Sequence, residues 1–422
     1  MKRPPPWLVV VLVGSLIGVV FAAVSTYDFV QHLDRQVHTL HCSFIPGASH
    51  GGGESGCQVA MMSPYSSVMR SRVWGGVPIA LGALSVFAFL AFFALDLALT
   101  RRKHDRHATG FLALATLLPA MTSLVMLTIS LSKLGTTCKL CVCIYVASAL
   151  CLFGAVMLWR SARRGHAVGV ATAGQPARLI AVDDAPAASG RFLGAMFAIG
   201  VAFVAIPAVL YLAMAPDHAK FIGSCDALPH PDDTYGIMVK MAHGGGHGAP
   251  SVEVLDPLCP ACRAFEQRLD ASGLADELDR KAVMFPLDNT CNWMVTEATH
   301  PGACVVSEAV LCAGDKAPDV LAWAFAEQDA IKAAAKSDAT AAAKLVKARF
   351  PELAACVGSP DARSRLNKSM RWIVANNLRV LTPQVYIDNV KLCDEDVDLG
   401  LEYTLRHMLA RHADHTLKAV KP

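Results

Sequence analysis

The sequence predicts a multi-domain chain: an all-α transmembrane bundle of four helices plus a fifth span, followed by an α/β domain. Three observations carry that expectation. Hydrophobic residues make up 54% of the 422 positions and charged residues only 17%, below the roughly one quarter usual in soluble domains. The long apolar runs concentrate in residues 1–214, whereas 215–422 has the mixed composition of a soluble unit. Two Cys-x-x-Cys pairs, Cys138/Cys141 and Cys259/Cys262, fall one in each part.

A membrane-spanning helix needs roughly 20 apolar residues. Five stretches qualify: Trp7–Val24, Val77–Leu95, Phe111–Leu131, Val142–Trp159 and Phe192–Met214, none with a charged residue inside. Gly14, Gly18, Pro119 and Pro207 within them are tolerable, because packed neighbours satisfy the freed backbone groups. Lys2 and Arg3 before an apolar run are also how a cleaved signal peptide begins. The stretch Trp7–Val24 is longer than the usual apolar core of one, so the helix is expected to be retained.

Lys/Arg bias in short loops sets orientation. Lys2 and Arg3 precede span one, Arg101, Arg102, Lys103 and Arg106 separate spans two and three, and Arg160, Arg163 and Arg164 follow span four. Alternating spans put all three clusters on one side, expected to be cytoplasmic. Loop 25–76, the link Ser132–Cys141 and everything after Met214 then face outward, so the location expected is the cytoplasmic (inner) membrane with both Cys-x-x-Cys pairs on the periplasmic side. The expected divisions are 1–160, a four-helix membrane domain; 161–191, a cytoplasmic linker; 192–214, the fifth span; 215–249, a second linker; and 250–422, the soluble domain. A formal net charge of +3, without a basic stripe, argues against nucleic acid as a partner.

Fourteen cysteines is a high count. Cys138 and Cys141 sit where the fourth span begins, and a helix N-terminus stabilises a thiolate. Their spacing puts both sulfurs on one face of the first turn, while a disulfide there closes too small a loop to restrain the unfolded chain much. Redox chemistry is the expectation. Cys143 and Cys151, deeper in the helix, read as packing residues. Cys42 and Cys57 flank Gly51-Gly52-Gly53 in the first outer loop, and read equally as a loop-closing disulfide or as a mobile shuttle pair.

Together with Trp74-Gly75-Gly76-Val77-Pro78 leading into span two, these residues resemble the bacterial homologues of the vitamin K epoxide reductase family, over about residues 7–160. The resemblance implies a four-helix bundle enclosing a quinone of the ubiquinone or menaquinone type. It implies that Cys141 faces the quinone, that Cys138 bridges transiently to Cys57, and that Cys42 takes electrons from a partner thiol. It also implies a serine among Ser63–Ser67 beside the loop.

In the second part, Ser251–Leu255 reads as a strand, Asp256-Pro257-Leu258 as a turn, and Cys259-Pro260-Ala261-Cys262 opens a helical pattern over Arg263–Leu274. A strand, a turn and Cys-x-x-Cys at a helix start is the thioredoxin redox context. Zinc is the competing reading, with His243 and His247 as further ligands, and lacks a second ligand pair of suitable spacing; no metal is expected. Thr382-Pro383 before the strand pattern Gln384–Asp388 resembles the cis-proline that the thioredoxin superfamily places against its cysteines, with Ala264–Arg379 as a helical insertion. The domain, over about residues 250–415, is similar to periplasmic thiol oxidases and isomerases. Cys225, Cys291, Cys304, Cys312, Cys356 and Cys393 read as structural, with Cys291–Cys304 the first pair to expect.

The functional expectation is a quinone-dependent thiol–disulfide oxidoreductase. Electrons from secreted or periplasmic protein thiols would pass through Cys259/Cys262, with Pro383 beside them, to Cys42/Cys57, to Cys138/Cys141 and into the membrane quinone pool. The alternatives are a reductase or isomerase running in the opposite direction, and a non-enzymatic transporter or redox sensor. The first needs a redox cysteine reachable from inside, and a transporter usually keeps charged or polar groups within its spans.

Overall fold

The computed structural model describes residues 5–36, 41, 56–100, 102–167, 188–242 and 248–420, which form two compact units, Met1–Pro216 and Asp217–Pro422. In the first, the apolar runs become helices α1 (Pro6–Gln31), α3 (Ile79–Leu99), α4 (Arg106–Ile129), α5 (Lys139–Ala167) and α6 (Gly190–Met214), with the short α2 (Gly56–Met62) before α3. All but α2 are long and apolar enough to cross a membrane.

Helix α1 packs against α3 and α5, α4 against α5, and α6 against α3. Leu8, Val11, Phe87, Phe93, Leu97, Leu112 and Cys151 are buried in the seam. Gly18 makes the α1–α3 approach possible: a Cβ there would stand 2.4 Å from the Phe87 ring. The helices outrun the apolar stretches. Helix α1 continues past Val24 to Gln31 and carries Asp28 into the bundle, 5% exposed. Two of the basic clusters gather at one end, with Arg102 over the Phe192 ring at 4.0 Å and Arg163 over Trp159 at 4.5 Å. There Asp105 caps α4, accepting from the His107 and Ala108 N–H groups and from Ala188 N–H ahead of α6. The stretch expected as linker 161–191 is helical to Ala167; 168–187 lie outside the described residues.

A small hairpin pairs β1 (Ser67–Val68) with β2 (Val77–Pro78) ahead of α3. Buried Arg70 holds the intervening loop, donating from Nε to Ser67 Oγ at 2.6 Å and from Nη2 to the Ser63 carbonyl and Ser66 Oγ.

The second unit is built on a five-stranded sheet: β3 (Val239–Lys240), β4 (Ala249–Leu255), β5 (Leu278–Met284), β6 (Gln384–Ile387) and β7 (Val390–Lys391). Its order is β3-β5-β4-β6-β7, with β4 and β5 parallel and the other neighbours antiparallel. That order, with the cysteines opening the helix after β4, is a thioredoxin-like fold. Helix α7 (Pro260–Ser272) follows β4, and α8 (Ala303–Ala313), α9 (Ala317–Ser337), α10 (Ala341–Arg349) and α11 (Pro360–Ala375) form the insertion before β6. Asp388 and Asn389 join β6 to β7 with positive φ at both, the backbone of a tight hairpin turn that matches strand twist. Helix α12 (Leu401–Val420) ends the unit and packs on α7.

Residues 217–242, which the sequence reading takes as linker, are part of this unit. They supply β3, and Cys225 is bonded to Cys393. A two-residue strand and one distant disulfide leave no local periodicity to read.

Candidate redox sites

In the first unit the site starts from a missing side chain. A Cβ on Gly56 would lie 2.5 Å from the Thr137 carbonyl oxygen and 2.6 Å from Thr136 Oγ1, so only glycine lets α2 settle on the turn before α5. That contact brings Cys57 Sγ to 2.9 Å from Cys138 Sγ. Cys57 is disulfide-bonded, whereas Cys138 and Cys141 are not in disulfides. Cys42, its expected loop companion, lies outside the described residues.

Cys138 occupies the position before α5, and its Sγ accepts the Cys141 N–H at 3.4 Å. The sulfur itself therefore takes one of the donors that a helix start leaves unpaired. Cys57, Cys138 and Leu140 form a small buried cluster. Beside it opens a cavity of about 500 Å³ whose walls include Cys57, Cys138, Cys141, Tyr145, Phe87 and Ala208 of α6. Asp28 stands at its edge, receiving the His41 N–H at 3.1 Å and facing His41 Nδ1 at 2.5 Å. Sequence reasoning missed Asp28, because it lies four residues beyond the apolar stretch that defined the span. Cys151 is buried 3.5 Å from Ser15 Oγ, as a packing residue.

In the second unit Cys259 caps α7 and Cys262 lies in its first turn, both buried free thiols. The Thr382–Pro383 peptide is cis, and Cys259 Sγ lies 3.6 Å from the Thr382 carbonyl oxygen. The Cys262 thiol, together with the Cys262 N–H, outweighs burial and draws Cys259 down to about 6. Burial pushes Cys262 up, so it stays protonated. The pair is thus split into an ionised sulfur and a neutral one, the division expected of nucleophile and resolving thiol.

Buried polar groups hold the turn. Asp256, fully buried, accepts the Leu258 N–H at 2.7 Å on Oδ1, and on Oδ2 the Leu287 N–H and His300 Nδ1, both at 2.7 Å. Gln328 on α9 donates from Nε2 to the Cys259 carbonyl at 2.9 Å. Below, Arg280 bridges Glu253 (2.6 and 3.1 Å) and Glu266 (2.5 Å). Burial, then the neighbouring Glu253 carboxylate, push the Glu266 carboxyl well above the usual range. None of these partners shows in sequence spacing except Asp256, which lies in the turn already singled out.

Three disulfides join described residues: Cys225–Cys393, Cys291–Cys304 and Cys312–Cys356. The second is the pair expected first. His243 and His247 lie outside the described residues.

Residues 9–156 match the model of the Vitamin K epoxide reductase family. The membrane bundle is a vitamin K epoxide reductase family domain. The match ends inside α5, so α6 and the thioredoxin-like unit are additions to that domain. Among solved structures, reduced DsbA1 from Neisseria meningitidis is 14% identical, with 46% of this chain and 93% of that one covered and a TM-score of 0.31. No curated protein matches the chain. A vitamin K epoxide reductase family domain joined to a thioredoxin-like unit, each with a Cys-x-x-Cys pair outside any disulfide, is a thiol–disulfide oxidoreductase.

Proposed function

We propose that the chain oxidises protein thiols outside the cytoplasmic membrane and delivers their electrons to a quinone. The observation that carries this reading is the 2.9 Å approach of Cys138 Sγ to the disulfide-bonded Cys57, beside a cavity that Cys141 also lines. An S–S bond is about 2.05 Å long, so a closure of about 0.9 Å converts that contact into a mixed disulfide.

The relay balances step by step. A substrate thiolate attacks the Cys259–Cys262 disulfide, and the substrate leaves oxidised while both cysteines are reduced. With Cys42 assigned as the loop partner of Cys57, the Cys259 thiolate attacks Cys42, Cys57 leaves as a thiolate, and Cys262 then attacks Cys259, restoring the Cys259–Cys262 disulfide and freeing Cys42. Freed Cys57 attacks Cys138 of the Cys138–Cys141 disulfide, Cys141 is released as a thiolate against the cavity, and Cys42 then attacks Cys57, restoring the loop disulfide and releasing Cys138 as a thiol. A quinone bound in the cavity beside Cys141 would supply the two-electron, two-proton acceptor that returns Cys138 and Cys141 to their disulfide.

The residues fit such a guest. The exposed wall area is mostly apolar, with Cys141, Tyr145 and hydroxyls such as Ser85 and Ser148 set among the apolar side chains, a lining suited to a flat polar ring carrying an apolar tail. The Lys/Arg clusters support an outward position for both sulfur pairs, and the thioredoxin-like fold supports protein thiols as substrate.

Replacing the resolving thiol tests the sulfur route. In Cys141→Ala, oxidation should accumulate a Cys57–Cys138 disulfide that non-reducing peptide mass spectrometry detects. A folded variant that traps no such species would overturn the assignment.

A further inference from the structure

The residues between the second pair, Pro260 and Ala261, carry no charge, and the nearest buried carboxylate is unfavourable to a thiolate. Asp256 is 0% exposed, its backbone oxygen receives the Cys259 N–H at 3.1 Å, and its charge disfavours ionisation of both Cys259 and Cys262. Something must offset it. Among the described residues the imidazole against it is that of His300, with Nδ1 at 2.7 Å from Asp256 Oδ2 and a side chain 10% exposed.

His300 is held rigidly for this. Its N–H donates to the Leu287 carbonyl, and Asp288 receives the Gly302 N–H just after it. The Cys291–Cys304 disulfide closes the loop around it. A buried histidine normally sheds its proton. Here burial is outweighed by the hydrogen bond to Asp256, the charge of Asp256 and that of Cys259, so His300 is raised above its ordinary value. From α9, Lys332 works against the imidazolium, but its ammonium is paired with Asp329 at 3.3 Å, as is Arg263 of α7.

We infer that His300 is a positioning residue for thiol exchange: its imidazolium neutralises the buried Asp256 carboxylate under the active turn and so keeps the Cys259 sulfur ionised. A raised histidine is charged below its shifted value and loses the charge above it. The offset is therefore present below that raised value and fades as pH climbs through it.

The test titrates Cys259 in the full-length reduced protein, following its alkylation by iodoacetamide against pH at the level of the peptide. In His300→Gln, which keeps an amide donor but no charge, the Cys259 profile should move to higher pH by about one unit. His300→Lys, with a permanent cation, should keep the wild-type profile. An unmoved profile in a folded His300→Gln protein with its Cys291–Cys304 bond intact would overturn the inference. Should that variant not fold, the lysine variant decides, because a profile above the wild type's contradicts the role of charge. The readout does not involve a quinone, so it stands or falls separately from the relay.

Discussion

Acidity at Cys259 should make the second pair increasingly oxidising, relative to a dithiol of ordinary acidity, as pH rises. The reduced form gains stability whenever Cys259 is ionised, and its value falls from an ordinary 9.0 to about 6. A lowered value stabilises the reduced state above it, fully so above the ordinary value, and the gain disappears as pH falls through about 6. Linkage puts the gain near zero at about pH 5, at about 1.4 kcal/mol at pH 7 and at about 3.7 kcal/mol at pH 9. For a two-electron couple that is about 30 mV at pH 7 and about 80 mV at pH 9, relative to a dithiol of ordinary acidity. The assay equilibrates the full-length protein with glutathione buffers of fixed ratio, quenches with acid, alkylates, and reads the Cys259–Cys262 peptide by mass spectrometry. A gap to the ordinary dithiol that does not widen between pH 5 and pH 9 would refute the reasoning, because Cys259 would then not be ionised in that range.

Two further substitutions probe the scaffold of each site. Gly56→Ala places a Cβ 2.5 Å from the Thr137 oxygen, where ordinary contact begins near 3.4 Å, so α2 must retreat by about 0.9 Å (3.4 minus 2.5). Such a misplacement at reacting atoms costs about a hundredfold in rate, and stopped alkylation should show Cys57–Cys138 exchange slowed by that order while the bundle melts normally. Arg280→Met strands Glu253 and Glu266 in the interior, a loss of about 3–5 kcal/mol at neutral pH. Because stranded carboxyls bind protons more tightly folded than unfolded, denaturant midpoints should recover part of that loss on acidification.

Much of the fold was legible because membranes and strands leave periodic or compositional marks. Five apolar runs translate directly into α1, α3, α4, α5 and α6, and the strand before Cys259 emerges as β4 with two more residues at its start. Pro383 follows a cis peptide whose Thr382 carbonyl oxygen lies 3.6 Å from Cys259 Sγ. What escaped depends on contacts between distant positions. Strand β3 has two residues and is defined only by its partner β5. His300 lies 44 residues from Asp256, and Gln328 reaches the Cys259 carbonyl from an alanine-rich helix whose pattern says only that it is buried. Gly56 looks like one more loop glycine until the backbone it must touch is in place. Asp28 was missed for a simpler reason, since a search for uncharged runs ends before it.

The central claim, that electrons cross from protein thiols to a quinone through these sulfurs, is tested most directly by quinol formation. Full-length protein in detergent is supplied with a reduced dithiol protein and a soluble quinone, and the quinone absorbance is followed. Steady conversion by the wild type, retained in Cys151→Ala and abolished in Cys141→Ala, is the result the account predicts. Undiminished conversion by a folded Cys141→Ala protein, or none by the wild type, would contradict it.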